Sequence, residues 1–248
     1  MQRKWSRGRW LLALAAALLP LTAHGAEPRP KPTPPTTREA SPPATGETSV
    51  AALVQAVQAR YEGTHDLKGK FKQVYTDQLY GRSRTSYGYL FVKKPGMMRW
   101  NYAAPERKAF ISDGKVLWVW EPADKQAFRN PLDLRTLSTG LTFLLGAGEL
   151  RREFNIAFAT DPRDRLGGPD DAVLKLTPKQ PSAQLDYLVL VVRRSDHAVV
   201  ESMIVNESST NHLLFSQLVF NSRLGNERFR FRPSADTRVV EGAKPERP

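Results

Sequence analysis

A helical spacing of hydrophobic residues follows a proline-rich stretch of the chain. Between positions 48 and 63 the apolar residues recur every three or four positions, which places them on one face of an α-helix. These residues are Val50, Leu53, Val54, Val57 and Tyr61. Thr48 or Ser49 can cap the start and Gly63 can end the helix. We therefore predict one amphipathic helix at the start of a folded domain.

Beyond this helix the spacing of apolar residues changes to two. Leu67, Phe71 and Tyr75 share one side of an extended segment, and lysines at 68, 70 and 72 occupy the other. This alternation is typical of a half-buried β-strand. Similar segments continue at 84–94, 98–105, 107–122, 125–132, 155–161, 172–178, 185–194, 198–206, 212–221 and 228–233.

The pattern thus predicts a mainly β (α+β) fold of about ten to twelve antiparallel strands, and a sheet of that size must curl or close. Pro95-Gly96 and Asp113-Gly114 mark turns between strands. Residues 133–154 break the alternation and are rich in leucine, which favours a helical insertion. We expect both helices to pack on one face of the sheet or to plug one mouth.

The first 47 residues lack the composition of a folded domain. Four basic residues precede a short apolar run, and small residues follow at 23 and 25. This pattern predicts a signal peptide over 1–26, cleaved near Gly25 or Ala26, and hence export without a membrane anchor. Seven prolines in 27–47 predict a disordered linker. The folded domain is expected at 48–241, with a disordered tail at 242–248.

Composition narrows the classes of partner. The chain of 248 residues has no cysteine, so neither disulfides nor lipid attachment at a cysteine is expected. Its formal net charge is +12, and about +8 remains once the basic leader is removed. A basic surface suits anionic partners such as membrane headgroups or acidic protein patches. Nucleic acid is not an expected partner, because the chain is exported and no nucleic-acid motif appears.

Catalytic patterns are weak. His65, His197 and His212 fall in different elements without metal-ligand spacing, so neither a metal nor a cofactor is expected. Ser112 and Lys115 match an S-x-x-K pattern, but that motif requires a helix start and Asp113-Gly114 predicts a turn. We expect a protein that is not an enzyme, and an exported hydrolase is a remote alternative.

Aromatic residues crowd the first half of the domain. An ordinary aromatic core explains any one of them, but a curled sheet of this size can also enclose a hollow for an apolar ligand. The aromatic positions are Phe71, Tyr75, Tyr87, Tyr89, Phe91, Trp100, Tyr102, Phe110, Trp118, Trp120 and Phe128.

The ordered combination of several segments resembles a known family. Phe71-x-Gln73 follows the helix, "GYLFVKKPGMMRWNY" comes next, then Pro105, "ISDGKVLWVWEP" and finally "FRFRP". Together they resemble the periplasmic outer-membrane lipoprotein carriers, the LolA-like proteins, over roughly residues 49–241. The resemblance implies an incomplete, curved antiparallel barrel with a helical lid over an apolar cavity. It also implies no cofactor and no covalent chemistry.

In that family the cavity receives acyl chains of lipoproteins, which an inner-membrane ABC transporter releases and an outer-membrane acceptor takes over. The resemblance implies this shuttling role for a monomeric chain in the periplasm. It places Lys94, where relatives usually have arginine, in contact with the lid, and Arg99 is the alternative for this gating role. The implied cavity residues are Phe71, Tyr89, Phe91, Met98, Trp100, Phe110, Trp118, Leu141, Phe143, Leu144 and Leu145.

Two uses of the same fold remain as alternatives. A lipid-binding acceptor is normally anchored through a cysteine, which this chain lacks. An envelope-stress sensor carries a second domain, whereas the strand pattern here runs through all of the roughly 200 residues after the linker.

Overall fold

The computed structural model describes residues 49–132, 149–164, 166–182 and 185–242. The predicted signal peptide and linker lie outside the described residues, as do the four lid residues Leu141, Phe143, Leu144 and Leu145 and all but the first residue of the tail.

The first described element is the predicted amphipathic helix, α1, which spans Val50–Glu62. Its start is capped by Ser49, whose hydroxyl oxygen accepts the Ala52 N–H at 3.2 Å. Its end is closed by Gly63, whose N–H donates to the carbonyl of Ala59 at 3.0 Å. The helical spacing in the sequence therefore predicted both this element and its caps.

The remainder is dominated by one sheet of twelve strands. Along the chain they are β1 (Asp66–Asp77), β2 (Arg82–Lys93), β3 (Met97–Ala104), β4 (Lys108–Asp113), β5 (Val116–Glu121), β6 (Gln126–Pro131), β7 (Phe154–Phe158), β8 (Asp171–Pro178), β9 (Tyr187–Arg193), β10 (Val199–Asn206), β11 (Ser209–Phe220) and β12 (Arg238–Glu241). A second short helix, α2 (Leu150–Glu153), precedes β7.

The strand order is β12-β6-β5-β4-β3-β2-β1-β11-β10-β9-β8-β7. Sequential hairpins build both halves, and β1 joins them by pairing with β2 on one side and β11 on the other. The ends of the order, β12 and β7, form its edges, so the predicted mainly β fold is confirmed as one open, curved sheet.

The segment 228–233, predicted as a strand, is not one. A 3-10 helix occupies Asn226–Phe229 instead, and the terminal strand β12 lies farther on, parallel to β6. Phe229 is buried while Arg228 and Arg230 are exposed. The alternation that suggested a strand thus has another cause, because Phe229 packs on the sheet from a segment that is not a strand.

The two sides of the sheet are distinct. We call the side packed against α1 the inner face and the opposite side the outer face. One row of paired residues crosses five strands of the inner face, and it consists of Leu90, Trp100, Phe110, Val119 and Phe128. Leu53, Val54 and Val57 of α1 join these residues in the same hydrophobic core.

The outer face is covered in two places. Residues 222–237, which we call the C-terminal segment, lie over β3 to β5, where Phe231 contacts Trp118 and Trp120 at centroid distances of 5.3 and 5.7 Å. A loop with a 3-10 helix at Pro162–Asp164 covers β8. There the buried Asp164 accepts a hydrogen bond from Lys175 at 2.8 Å. The outer face of β1 and β2 lies between these two covers.

Candidate functional site

An aromatic cluster occupies the centre of the inner face. The Phe71 ring lies 5.1 Å from Trp100 and 5.0 Å from Tyr102. Phe215 of β11 contacts Trp100 edge-on at 6.3 Å, and Phe110 contacts Tyr102 at 6.1 Å. Rings in these tilted and edge-on arrangements form a continuous apolar wall from β11 to β4.

Gly88 makes this cluster possible. A Cβ atom at Gly88 would lie 2.0 Å from the Asn101 carbonyl oxygen and 2.6 Å from the Phe71 ring. The ring of Phe71 therefore occupies space that any other residue at position 88 would fill. This close approach is the physical reason for the glycine in the segment that carried the family resemblance.

Trp100 has an unusual polar atom. Its indole nitrogen Nε1 is buried and has no hydrogen-bond partner among the described residues. The side chain is only 4% exposed, so water does not readily satisfy the donor. The inner face is thus apolar with one unpaired N–H in its wall.

Polar groups gather where the aromatic cluster meets the β1–β2 end of the sheet. Gln73 donates to Asn211 at 2.8 Å, and the Lys108 ammonium lies 4.6 Å from the centre of the Tyr102 ring. Burial raises the pKa of the Tyr102 hydroxyl far above its ordinary value, against an opposing hydrogen bond with Gln73. Burial and then the nearby Arg84 lower the pKa of Lys108.

At the opposite end of the sheet, Lys94 holds the last turn of α1. Its ammonium donates to the carbonyl oxygens of Tyr61 and Glu62, the latter at 3.3 Å. Burial lowers the pKa of Lys94, against the attraction of the Glu62 carboxylate. The Tyr61 hydroxyl oxygen accepts the Val199 N–H at 3.1 Å, and burial raises the pKa of Tyr61 to about 12. These contacts join α1 to both halves of the sheet.

The structure brings together four of the predicted cavity residues, namely Phe71, Met98, Trp100 and Phe110. All are buried on the inner face. Met98 pairs with Val92 and Ser112 and is 1% exposed, so it packs in the core instead of standing at an opening.

Three other predicted cavity residues, Tyr89, Phe91 and Trp118, lie on the outer face. Tyr89 and Phe91 are paired with Asn101 and Arg99, which also point outward. These residues do not share a surface with the first four. Both sides of these strands are rich in apolar residues, so alternation alone did not distinguish the two faces.

Of the two gating candidates, only Lys94 contacts α1. Arg99 lies on the outer face, where it donates to the Asn101 side chain at 3.1 Å and to the Arg228 carbonyl at 3.0 Å. Burial, and then the charge of Arg228, lower the pKa of Arg99. Arg99 therefore anchors the C-terminal segment.

Sequence reasoning missed three site residues. Tyr102 alternates with Met98 and Trp100 on β3, so the two-residue spacing places its side chain on the same, inner face. Lys108 lies two residues before Phe110 on β4 and follows from the same alternation. Phe215 reaches the cluster only through the pairing of β11 with β1, which no local pattern indicates.

Other chemistry receives little support from the geometry. The Ser112 hydroxyl is buried and accepts the Gly114 N–H at 3.1 Å, whereas Lys115 is exposed in the β4–β5 turn. Within the described ranges, no group of three or more His, Asp or Glu side chains is arranged to hold a metal ion. In that same part of the chain, no helix has the length and apolarity needed to cross a membrane.

The fold and inner face define a class of protein in which one curved sheet carries an apolar, helix-covered surface. The chain belongs to a known family of this kind, because the family model "Outer membrane lipoprotein carrier protein LolA" matches residues 62–232.

Several curated relatives are named outer-membrane lipoprotein carrier protein. One from Alkalilimnicola ehrlichii is 29% identical over 195 residues, covering 77% of this chain and 85% of the relative. One from Coxiella burnetii is 27% identical over 176 residues, covering 70% and 80%. One from Chromohalobacter salexigens is 25% identical over 226 residues, covering 90% and 92%.

Among the solved structures, one match with a TM-score above 0.5 supports the fold alone. An uncharacterised conserved protein from Thermus thermophilus matches with a TM-score of 0.51 at 10% identity, over 76% of this chain and 98% of that protein. A LolA superfamily protein from Nitrosomonas europaea matches with a TM-score of 0.40 at 12% identity, over 75% and 99%.

Proposed function

We propose that this chain is a periplasmic carrier that binds the acyl chains of lipoproteins on its inner face and transfers them from the inner to the outer membrane. The observation that carries the proposal is the aromatic wall around Trp100, in a chain that belongs to the lipoprotein carrier family. An inner-membrane ABC transporter would supply the cargo and an outer-membrane acceptor would receive it.

Cargo entry requires α1 to move, because its side chains pack directly on the inner face. Four of them are buried, namely Leu53, Val54, Val57 and Tyr61. Re-exposing each side chain costs about 1.5–3 kcal/mol, whereas burying an acyl chain gains about 0.8 kcal/mol per methylene. One acyl chain of about fifteen methylenes therefore offsets the whole cost of displacing the helix, which is about 6–12 kcal/mol, and a multiply acylated cargo exceeds it.

Release of the cargo requires α1 to return to the inner face. The Lys94 ammonium binds backbone carbonyls at the C-terminal turn of α1, where the helix dipole favours a cation. This polar contact breaks when α1 leaves the inner face and re-forms when α1 returns. We therefore assign Lys94 the gating role, while the predicted lid residues Leu141, Phe143, Leu144 and Leu145 remain candidates to complete the cover.

A release assay tests the function. Membranes holding a triacylated lipoprotein and its transporter are incubated with ATP and the purified protein, and the supernatant is separated by size-exclusion chromatography. We expect a soluble complex of lipoprotein and carrier. Release no greater than with an unrelated basic protein of similar size would contradict the proposal.

A spectroscopic comparison tests the site. Cargo with a nitroxide-labelled acyl chain should quench tryptophan fluorescence through Trp100 on the inner face. Trp100→Phe should remove most of the quenching, whereas Trp120→Phe, on the outer face, should retain it. Equal quenching in both variants would place the acyl chain elsewhere.

A further inference from the structure

A row of three lysines lies on the outer face of β1, where Lys70 and Lys72 are exposed and Lys68 is half-buried among the described residues. Lys68, Lys70 and Lys72 alternate along the strand, so their side chains project in one direction about 6.6 Å apart. None of the three ammonium groups has a hydrogen bond or ion pair with any described residue. Three unpaired cations in register form a concentrated positive surface.

Aromatic residues stand opposite these lysines. In the β1–β2 pairing, Lys68 faces Phe91, Lys70 faces Tyr89 and Lys72 faces Tyr87. Tyr87 is 50% exposed and Tyr89 is 46% exposed, which is unusual for large rings in the middle of a long strand. The outer face of these strands therefore combines cations with amphipathic rings.

A groove of about 420 Å³ continues this surface toward the C-terminal segment. Tyr89 and Phe91 line it together with Arg99, Asn101, Glu227 and Arg228. The guanidinium of Arg228 lies 4.6 Å from the centre of the Phe91 ring. Glu227 adds one negative charge at the wall, so the groove carries a net positive charge.

The outward positions of β1, β2 and β3 carry one carboxylate, Asp66, whose oxygens accept hydrogen bonds from Ser222 and Leu224 of the C-terminal segment. Besides the three lysines they hold Lys93 and Arg99, which anchor the C-terminal segment through the carbonyls of Leu224 and Arg228. A partner that matches this surface therefore supplies negative charge at several points along it.

We propose that this basic-aromatic face, formed by Lys68, Lys70, Lys72, Tyr87 and Tyr89, docks the protein on the anionic phospholipid headgroups of a membrane surface. A membrane surface is favoured because anionic headgroup phosphates attract the repeated cations. Tyrosine rings, in addition, are enriched at the interface between a membrane and water. The site lies on the opposite side of the sheet from the aromatic wall, so it can act whether or not cargo is bound.

Vesicle co-sedimentation of the purified full-length chain, expressed with its own leader, tests this inference without cargo. Mixed phosphatidylcholine–phosphatidylglycerol vesicles should bind the protein, and pure phosphatidylcholine vesicles should not. Binding should weaken steeply with added salt. Replacing Lys68, Lys70 and Lys72 by Gln should weaken binding about a hundredfold, since each basic residue near an anionic surface contributes roughly one kcal/mol.

The matched control removes three exposed cations elsewhere. Lys115, Arg152 and Arg194 lie in two turns and in α2, and their replacement by Gln changes the net charge equally. This control should reduce binding by less than about threefold, and both triple variants should melt like the parent. Equal losses in the two variants would show a general charge effect and overturn the docking face.

A single-cysteine reporter locates the contact, because the chain has no cysteine of its own. A polarity-sensitive dye on Thr85→Cys, on the outer face beside Tyr87, should shift to the blue with anionic vesicles. The same dye on Ser195→Cys, in the β9–β10 turn, should not. No shift at position 85, or binding only to an acidic protein and not to vesicles, would overturn the inference. Because no lipoprotein is present, this outcome is independent of the carrier assay.

Discussion

The inner and outer faces of β1 to β3 consist of alternate residues of the same strands, yet they have opposite environments. The inner residues Phe71, Leu90 and Trp100 are buried in the hydrophobic core that also contains the apolar residues of α1. On the outer side, Lys70 and Tyr89 are exposed. The difference shows that burial here depends on which side α1 and the C-terminal segment cover, and not on the hydrophobicity of the strands.

The largest expected difference between the faces concerns two adjacent residues of β2. Leu90 is 1% exposed on the inner face, whereas Tyr89 is about half exposed on the outer face. Leu90→Ala should lower the free energy of unfolding by about 2–5 kcal/mol, because it leaves a cavity. Tyr89→Ala should change it by no more than about 0.5 kcal/mol. Urea denaturation measures both, and similar losses would mean that the faces are not distinct.

A second comparison concerns two glycines. Gly88→Ala should destabilise the protein by about 3 kcal/mol, because the new methyl group overlaps the Asn101 carbonyl and the Phe71 ring. Gly168→Ala is the matched control, since the nearest atom to its Cβ would be 3.6 Å away. Thermal melts should shift strongly for the first variant only. A stable Gly88→Ala protein would show that the wall can move aside.

Acid should weaken the attachment of the C-terminal segment to the outer face. Burial alone would raise the pKa of Asp66, but hydrogen bonds from Ser222 and Leu224 outweigh it and hold the pKa below its ordinary value. A lowered pKa in the folded state adds stability above about pH 4, which is lost as the pH falls through the folded-state value.

Asp66→Asn should therefore cost about 2 kcal/mol at neutral pH and less in acid. Chemical denaturation across the acidic range would reveal the change. A variant whose stability deficit stays constant with pH would refute the assignment to Asp66.

The smallest expected loss of stability concerns the contact between Lys94 and α1, the helix that covers the inner face. Lys94→Met should cost about 1 kcal/mol, because two backbone carbonyls at the end of α1 lose their cationic donor. Amide exchange in α1 should accelerate about fivefold, while exchange in β9 stays unchanged. Lys115→Met, at an exposed turn, is the control. Uniform acceleration throughout the protein would indicate global destabilisation and not a local gate.

Much of the fold was predictable because it rests on local patterns. The helical spacing, with serine and glycine at its ends, predicted α1, and two-residue alternation predicted most strands. The Asp113-Gly114 turn is confirmed, with the Asp113 carboxylate accepting the N–H groups of Lys115 and Val116. The strand predicted at 228–233 was wrong, because Arg and Phe also alternate in a segment without strand structure that packs one side on a surface.

The candidate site was only half predictable. Phe71, Met98, Trp100 and Phe110 are grouped as expected, but Tyr89, Phe91 and Trp118 are not. Two-residue alternation shows which residues of one strand share a side. Which of the two sides faces α1 depends on the register between neighbouring strands. A shift of one residue in any pairing would exchange the two sets.

The sequence by itself determined the periods, the turns, the missing disulfides and the excess of positive charge. These are properties of neighbouring residues and of composition. Only the tertiary structure decided that Lys94 reaches α1 while Arg99 anchors the C-terminal segment, and that Lys70 and Lys72 of β1 remain exposed among the described residues. Those outcomes depend on contacts between positions more than thirty residues apart, which chain-local spacing does not encode.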